Sequence, residues 1–161
     1  MKRRSGTIEM FNTIIEYLRK YHPECKKIIC SDKADFQCSP DGNTRIPFYN
    51  LYLIRYDKGY YEHLFTFQLL DENDRITHRH NVENISKYKI DKIKVSLYLH
   101  QYKYDNIDEF INLLMEGESP KAVLTRIRDE KYCDILDKFI NFIFMESKVI
   151  SFIGKIYYLD I

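Results

Sequence analysis

Between Ile46 and Asp71 the chain reads IPFYNLYLIRYDKGYYEHLFTFQLLD: a helix-sized apolar segment, a bend holding Lys58 and Gly59, and an aromatic cluster running into a second apolar stretch. Two apolar runs so close together must be covered by other elements, which confines the chain to a layered architecture. Phe48, Leu51, Tyr52, Arg55 and Tyr56 fit one helical face, although the Tyr and Ile content also suits a strand. Pro47 at the first turn, where a missing N–H costs nothing, favours helix. Asp57, Lys58 and Gly59 break the pattern, and Phe65–Leu70 reads as a strand.

At 161 residues the chain has the length of one domain, residues 1–161. Its net charge of +1 provides no global field for nucleic acid or an anionic membrane, so nucleic-acid binding through aromatics and Lys/Arg is a weak third reading. No apolar run approaches the ~20 residues of a membrane span. MKRRSGTIEM has a basic start without the apolar segment of a signal peptide. These features predict an intracellular protein. The four cysteines, Cys25, Cys30, Cys38 and Cys133, form no CxxC pair and read as free thiols in a reducing compartment. Cys30 and Cys38 with His78 and His80 would be the donors of a zinc site, but their spacing is loose, and no metal is expected.

In chain order, Ile8, Phe11, Ile14, Ile15 and Leu18 recur at helical steps and predict a helix over residues 7–21, ended by His22 and Pro23. Lys27–Ser31 is a short β-branched strand. Asp32 follows as a strand-end turn residue or a substrate-facing carboxylate. Residues 32–44 read as a loop, with turn chemistry at Pro40, Asp41, Gly42 and Asn43. Residues 71–91 are polar and predict an irregular connection, His78 and His80 lying in a solvated loop or a small basic patch. Alternation of Val95, Leu97 and Leu99 with polar neighbours predicts a strand over residues 93–102. Asn106 and Glu109 have capping-box spacing ahead of a helix that stops near Gly117. Ser119 and Pro120 open another helix, Ile135 to Ile143 carry a further one, and residues 149–159 around Gly154 read as one or two strands. The order predicts an α/β or α+β domain, with residues 92–161 forming a strand plus helices.

Arg3, Arg4, Ser5, Gly6 and Thr7 stand directly before the first helix. Unpaired N–H groups at a helix start, next to a glycine, can hold a pyrophosphate; the plainer reading is a basic lead-in to an ordinary helix. Arg3 and Gly6 resemble the Arg/Gln-x-x-Gly-x-Gly/Ala loop of the GNAT acyltransferase superfamily. KKIICSD resembles the strand that follows its first helix, and Tyr61–Phe67 resembles its Tyr-Glu-Lys-x-x-Gly-Phe stretch. With Ser31–Asp32, Cys38 and the apolar helix ending at Arg55–Gly59, the order is similar to GNAT-like proteins of large DNA viruses. The resemblance covers about the first half of the chain, with residues 1–71 as its core. It implies a three-layer domain with a mixed sheet, lacking the usual N-terminal strands, plus a helical C-terminal half.

What the resemblance implies for function divides in two. Ile8 stands where the loop has Gly or Ala, Thr66 replaces the Gly before Phe67, and the strand that often supplies a general base is not found. These departures imply a degenerate protein acting as an interaction or structural component, with a protein partner or a homodimer, in host cytoplasm or virion. The alternative is an acetyl-CoA-dependent N-acyltransferase, with Arg3–Thr7 holding the cofactor and Tyr61 protonating the leaving thiolate. The plain reading of Tyr61, one of 14 tyrosines, is an amphipathic core or rim residue. Glu62 and His63 are possible bases that, as neighbours on a helix, point apart.

Overall fold

The computed structural model describes residues 5–38, 44–127 and 130–161; Arg3, Arg4 and the turn residues Pro40–Asn43 lie outside them. It is a mixed α/β domain with a small sheet and a predominantly helical C-terminal half. Helix α1 (Ser5–Tyr21) leads into strand β1 (Lys27–Ser31), whose bounds are those predicted. A hairpin of β2 (Asp35–Gln37) and β3 (Arg45–Pro47) follows, inside and just beyond the predicted loop. Pro47 ends β3 and caps α2 (Phe48–Tyr56) from outside, so it precedes the helix instead of sitting in its first turn.

The predicted strand over residues 65–70 shrinks to β4 (Gln68–Leu69), because Tyr60–Phe65 forms a short helix, α3. Gly59 starts α3, its N–H donating to the Glu62 carboxylate at 3.2 Å. A Cβ at Gly59 would lie 2.7 Å from the Tyr157 hydroxyl, so no larger residue fits there.

Two predicted elements are overturned. Residues 71–91 are not irregular: Glu72–Lys87 is a helix, α4, with the Asp71 carboxylate accepting from the N–H groups of Asn73 and Asp74. Its buried residues are His78, Asn81 and Ile85, a helical stripe that hydropathy misses because two of its members are polar. Residues 93–102 are not a strand either. Lys92–Leu99 is helix α5, capped by Asp91, which accepts from the Lys94 N–H. Val95 and Leu99 lie four apart and face inward, while Ile93 and Leu97 remain 72% and 68% exposed. The alternation in the sequence was a helical pair with exposed apolar residues between.

Helices α6 (Ile107–Leu113), α7 (Pro120–Arg126) and α8 (Cys133–Glu146) complete the C-terminal half. Ser119 caps α7 as expected, its hydroxyl accepting from the Ala122 N–H. Asn106 makes no side-chain cap bond, and Glu109 pairs with Lys131 at 2.6 Å instead of closing a capping box. The chain returns as a single strand, β5 (Ile156–Asp160), after a turn with Gly154 at φ 81°. Strand order is β1-β5-β4, and every strand pair among the described residues is antiparallel.

One contiguous core runs through both halves, from Tyr49, Leu53, Phe67 and Tyr157 to Leu99, Phe110, Phe139 and Ile143. Helix α1 touches it through Phe11, whose ring lies 4.6 Å from that of Phe65. Over residues 8–21 of this helix Phe11, Ile15 and Leu18 are half-buried, and Met10, Ile14, Tyr17 and Tyr21 are exposed along a second stripe. Among the described residues no helix is long and apolar enough to cross a membrane.

Not all the cysteines are free thiols. Cys38, at the end of β2, is joined to Cys133, the first residue of α8, with Cα atoms 5.6 Å apart, while Cys25 and Cys30 are free. The link closes a separation of 95 residues, and constraining so long a segment of the unfolded chain contributes roughly 5 kcal/mol in the chain-entropy description. Cys38→Ser, or reductant on the unaltered chain, therefore lowers the unfolding free energy by that order, seen as a fall in the urea midpoint. Unchanged melting with and without reductant in equilibrium denaturation would contradict the link.

Candidate functional site

Of the residues predicted to hold a cofactor, Ser5, Gly6 and Thr7 form the first turn of α1, where helix N–H groups have no intrahelical partner. Tyr61 is half-buried on α3, enclosed by aromatic rings. Phe11 of α1 lies at 6.5 Å between ring centroids, Tyr157 of β5 at 5.8 Å and Phe67 at 6.0 Å. Burial, then the charges of Asp32 and Cys30, push its phenol up to about 12. A thiolate leaving group has a conjugate acid near 8.5, so proton transfer from Tyr61 is uphill by a factor of roughly a thousand. A pair of parallel strands splaying beside Gly6, which an acyl-CoA site of the GNAT kind requires, is not found among the described residues.

The predicted base candidates diverge as expected. His63 is exposed and stacks on Tyr56 at 4.1 Å, whereas Glu62 turns inward toward His78. His80 is exposed on α4. Cys38 is consumed by the link to Cys133, and no group of three or more His, Cys, Asp or Glu side chains gathers to hold a metal among the described residues.

What the structure does bring together is a buried polar chain. The Tyr49 hydroxyl lies 3.0 Å from His78 Nδ1, and His78 Nε2 lies 3.4 Å from Glu62 Oε2. Hydrogen bonding assigns the proton to Nε2, facing the carboxylate, and leaves Nδ1 to accept from the phenol. Asn81 completes the chain. Its amide donates to the Ile150 carbonyl at 2.8 Å and lies 3.4 Å from the Tyr49 hydroxyl, while its oxygen accepts from the Ile150 N–H. The order phenol, imidazole, carboxylate is that of a nucleophile, its base and an orienting group. Yet Tyr49 has no exposed surface, and burial raises its pKa and lowers that of His78. The chain therefore fastens α2, α3, α4 and the segment at Ile150 to one another. Sequence reasoning missed it, because His78 was read as loop and Asn81 carried no signal; the 78, 81, 85 spacing was the available clue.

Next to this chain a cleft of about 160 Å³ is bounded by Asp32, Lys33, Asp35, Arg45, Tyr49 and Ile153 among others. Asp32 is only 2% exposed. Its backbone is held on both sides, the N–H donating to Lys155 O at 2.8 Å and the carbonyl accepting from the Gly154 N–H at 2.6 Å. Among the described residues its Oδ2 has no hydrogen-bond partner, and neither does the buried Tyr157 hydroxyl. Burial pushes the Asp32 carboxyl up to about 6, opposed by a hydrogen bond from the Ala34 backbone.

A carboxyl whose folded pKa is raised binds protons more tightly in the folded state, so stability falls as pH rises from about 4 through about 6. Two pKa units correspond to roughly 3 kcal/mol at neutral pH. Asp32→Asn removes the charge but leaves a buried amide nitrogen, so a net gain of about 1–2 kcal/mol is expected at pH 8, shrinking to nothing near pH 4. Denaturant melts of both chains across that range measure it; a gain independent of pH would refute the assignment. Comparison with protein-family models, with curated proteins and with solved structures returned no match for the chain.

Proposed function

We propose that the chain acts as a non-catalytic interaction or structural component, and that its likeness to GNAT-like viral proteins reflects a degenerate member of that group. The observation that carries this reading is α1. Met10, Ile14, Tyr17 and Tyr21 follow steps of four, three and four, the seam by which one helix meets another, and the fold leaves all four exposed. The half-buried stripe of Phe11, Ile15 and Leu18 is a separate set, so the seam is not what holds α1 to its own domain. A protein partner or a second copy of the chain would cover it.

If the seam serves a partner, polar substitution leaves the isolated fold intact. The pair Ile14→Gln and Tyr17→Gln is expected to shift the thermal midpoint by no more than about 2 °C, whereas Phe139→Ala in the core loses roughly 3–5 kcal/mol. Circular-dichroism melts in dilute solution decide this. A loss of core magnitude in the double variant would make the seam structural and remove the support for the reading.

The N-acyltransferase alternative is kept alive by one contact, Phe11 against Tyr61, which sets the proton-donor candidate beside the helix that begins at Ser5–Thr7. Acetyl-CoA titration by calorimetry tests it. The interaction reading expects no binding at millimolar ligand; saturable binding, with turnover lost in Tyr61→Phe while binding survives, would replace it with the enzyme.

A further inference from the structure

We infer that β1 is a docking edge for a second copy of the chain: two β1 strands pair antiparallel about Ile29, joining two three-stranded sheets into one continuous sheet. This surface is separate from the α1 seam, so the inference holds or fails independently of the reading given above.

The hydrogen-bond phase of the sheet fixes which backbone groups of β1 are free. Just outside the strand, the Ile161 N–H donates to the Lys26 carbonyl at 3.1 Å and the Asp32 N–H to the Lys155 carbonyl at 2.8 Å. Bonded positions in an antiparallel pair recur at every second residue, so Ile28 and Cys30 carry the bonds to β5. On the far side of β5 the Leu70 N–H donates to the Ile156 carbonyl at 2.9 Å, which agrees with that phase. The N–H and C=O groups of Lys27, Ile29 and Ser31 therefore point away from the sheet. All three residues are exposed, and among the described residues no strand lies beyond them. The Ser31 carbonyl accepts from the Lys33 N–H at 3.0 Å; the outward groups of Lys27 and Ile29 have no backbone partner among the described residues.

Sheet edges are ordinarily guarded by a proline, a bulge or an outward charge. Strand β1, KIICS, contains no proline, and its pairing with β5 runs without a bulge from Lys27 to Ser31. Its one charged side chain leans inward, the Lys27 ammonium lying 4.5 Å from the Tyr158 ring centre. Ile29, in the middle, is 60% exposed. The edge is open to another strand.

The sequence selects a second β1 as that strand. A two-fold axis at Ile29 sets Ile29 opposite Ile29 of the partner subunit and Lys27 opposite Ser31 of the partner subunit, all of them positions with outward backbone groups. No like charges meet within the pair. Glu24 stands just before β1 and Lys33 just after it, both exposed, so a partner running in the reverse direction brings acid and base together at each end. A parallel partner would instead set Lys27 beside Lys27 and Lys33 beside Lys33. On the solvent face Ile29 is already the cross-strand neighbour of Tyr158. Pairing extends that contact into a row of Tyr158, Ile29 and their two copies, and it takes the exposed isoleucines out of water.

Sedimentation equilibrium of the full chain from about 1 μM to about 1 mM tests the pairing, the window in which a small interface is half-formed. Reversible conversion of monomer to dimer is expected across it. Ile29→Lys, at an exposed position, sets like charges face to face and weakens self-association at least about tenfold. Ile29→Glu does the same, and mixing the two variants restores the dimer, which excludes misfolding as the cause. Ile14→Gln with Tyr17→Gln leaves the dimer intact. In a Cys25→Ser background, which removes the exposed thiol, Ile29→Cys forms a disulfide-linked dimer on mild oxidation, because the facing Cα atoms are about 5.5 Å apart. Lys27→Cys does not, its two copies being more than about 13 Å apart. A monomer at every concentration, a dimer indifferent to Ile29→Lys, no recovery on mixing, or equal crosslinking at 27 and 29 would overturn the pairing.

Discussion

Strand β5 supplies backbone partners to β1 on one side and to β4 on the other, so the two N-terminal parts of the sheet meet only through residues 156–160. The pairings join Lys27 with Asp160 and Leu69 with Tyr157, contacts of high sequence separation that form only after long loops are closed. The arrangement also leaves β1 as a sheet edge among the described residues, with exposed Ile29 on it. Lys27 of that strand reaches inward over the Tyr158 ring of β5 at 4.5 Å.

The same strand builds the polar interior. Tyr157 brings its hydroxyl beside Gly59, and the turn before β5 presents Gly154 N–H and Lys155 O to Asp32. Asp32 is buried because the far end of the chain folds over it. Its neighbours in sequence, Lys33 and Ser31, are exposed and give no hint of this. Among the described residues Asp32 Oδ2 has no hydrogen-bond partner, and a buried charge left so weakens the fold.

What could be read from the sequence follows from how local each cause is. Lys27–Ser31 as a strand, Ser119 as a cap and the amphipathic first helix depend on spacing and capping within a few residues, and they appear in the structure as read. Helix α4 was missed because its inward stripe is His78, Asn81 and Ile85, whose polarity is satisfied by Tyr49, Glu62 and Ile150 from elsewhere in the chain. Helix α5 was misread because Ile93 and Leu97 are exposed, which breaks the rule that apolar residues report the buried face. Cys38 and Cys133 carry no spacing motif, so only the docking of the β2–β3 hairpin on α8 reveals their approach. At the candidate site, Asp32 was legible as a strand-end carboxylate, but its burial was not, and Tyr61 was legible as an aromatic-cluster residue.

Asp32 and His78 titrate against each other in their effect on the fold. Burial lowers the His78 pKa, so the unfolded state binds its proton more readily, and stability falls as pH drops below about 6.5. Burial raises the Asp32 pKa, so over the range from about 6 down to about 4 the folded state takes up a proton and stability rises. Both effects come from desolvation of a charged form, and their signs differ because one group is charged when protonated and the other when not. Where the ranges overlap the two effects on stability oppose each other. The polar interior therefore does two separable things: the Tyr49–His78–Glu62 chain holds three helices in register, while Asp32 makes stability respond to pH in the sense opposite to His78.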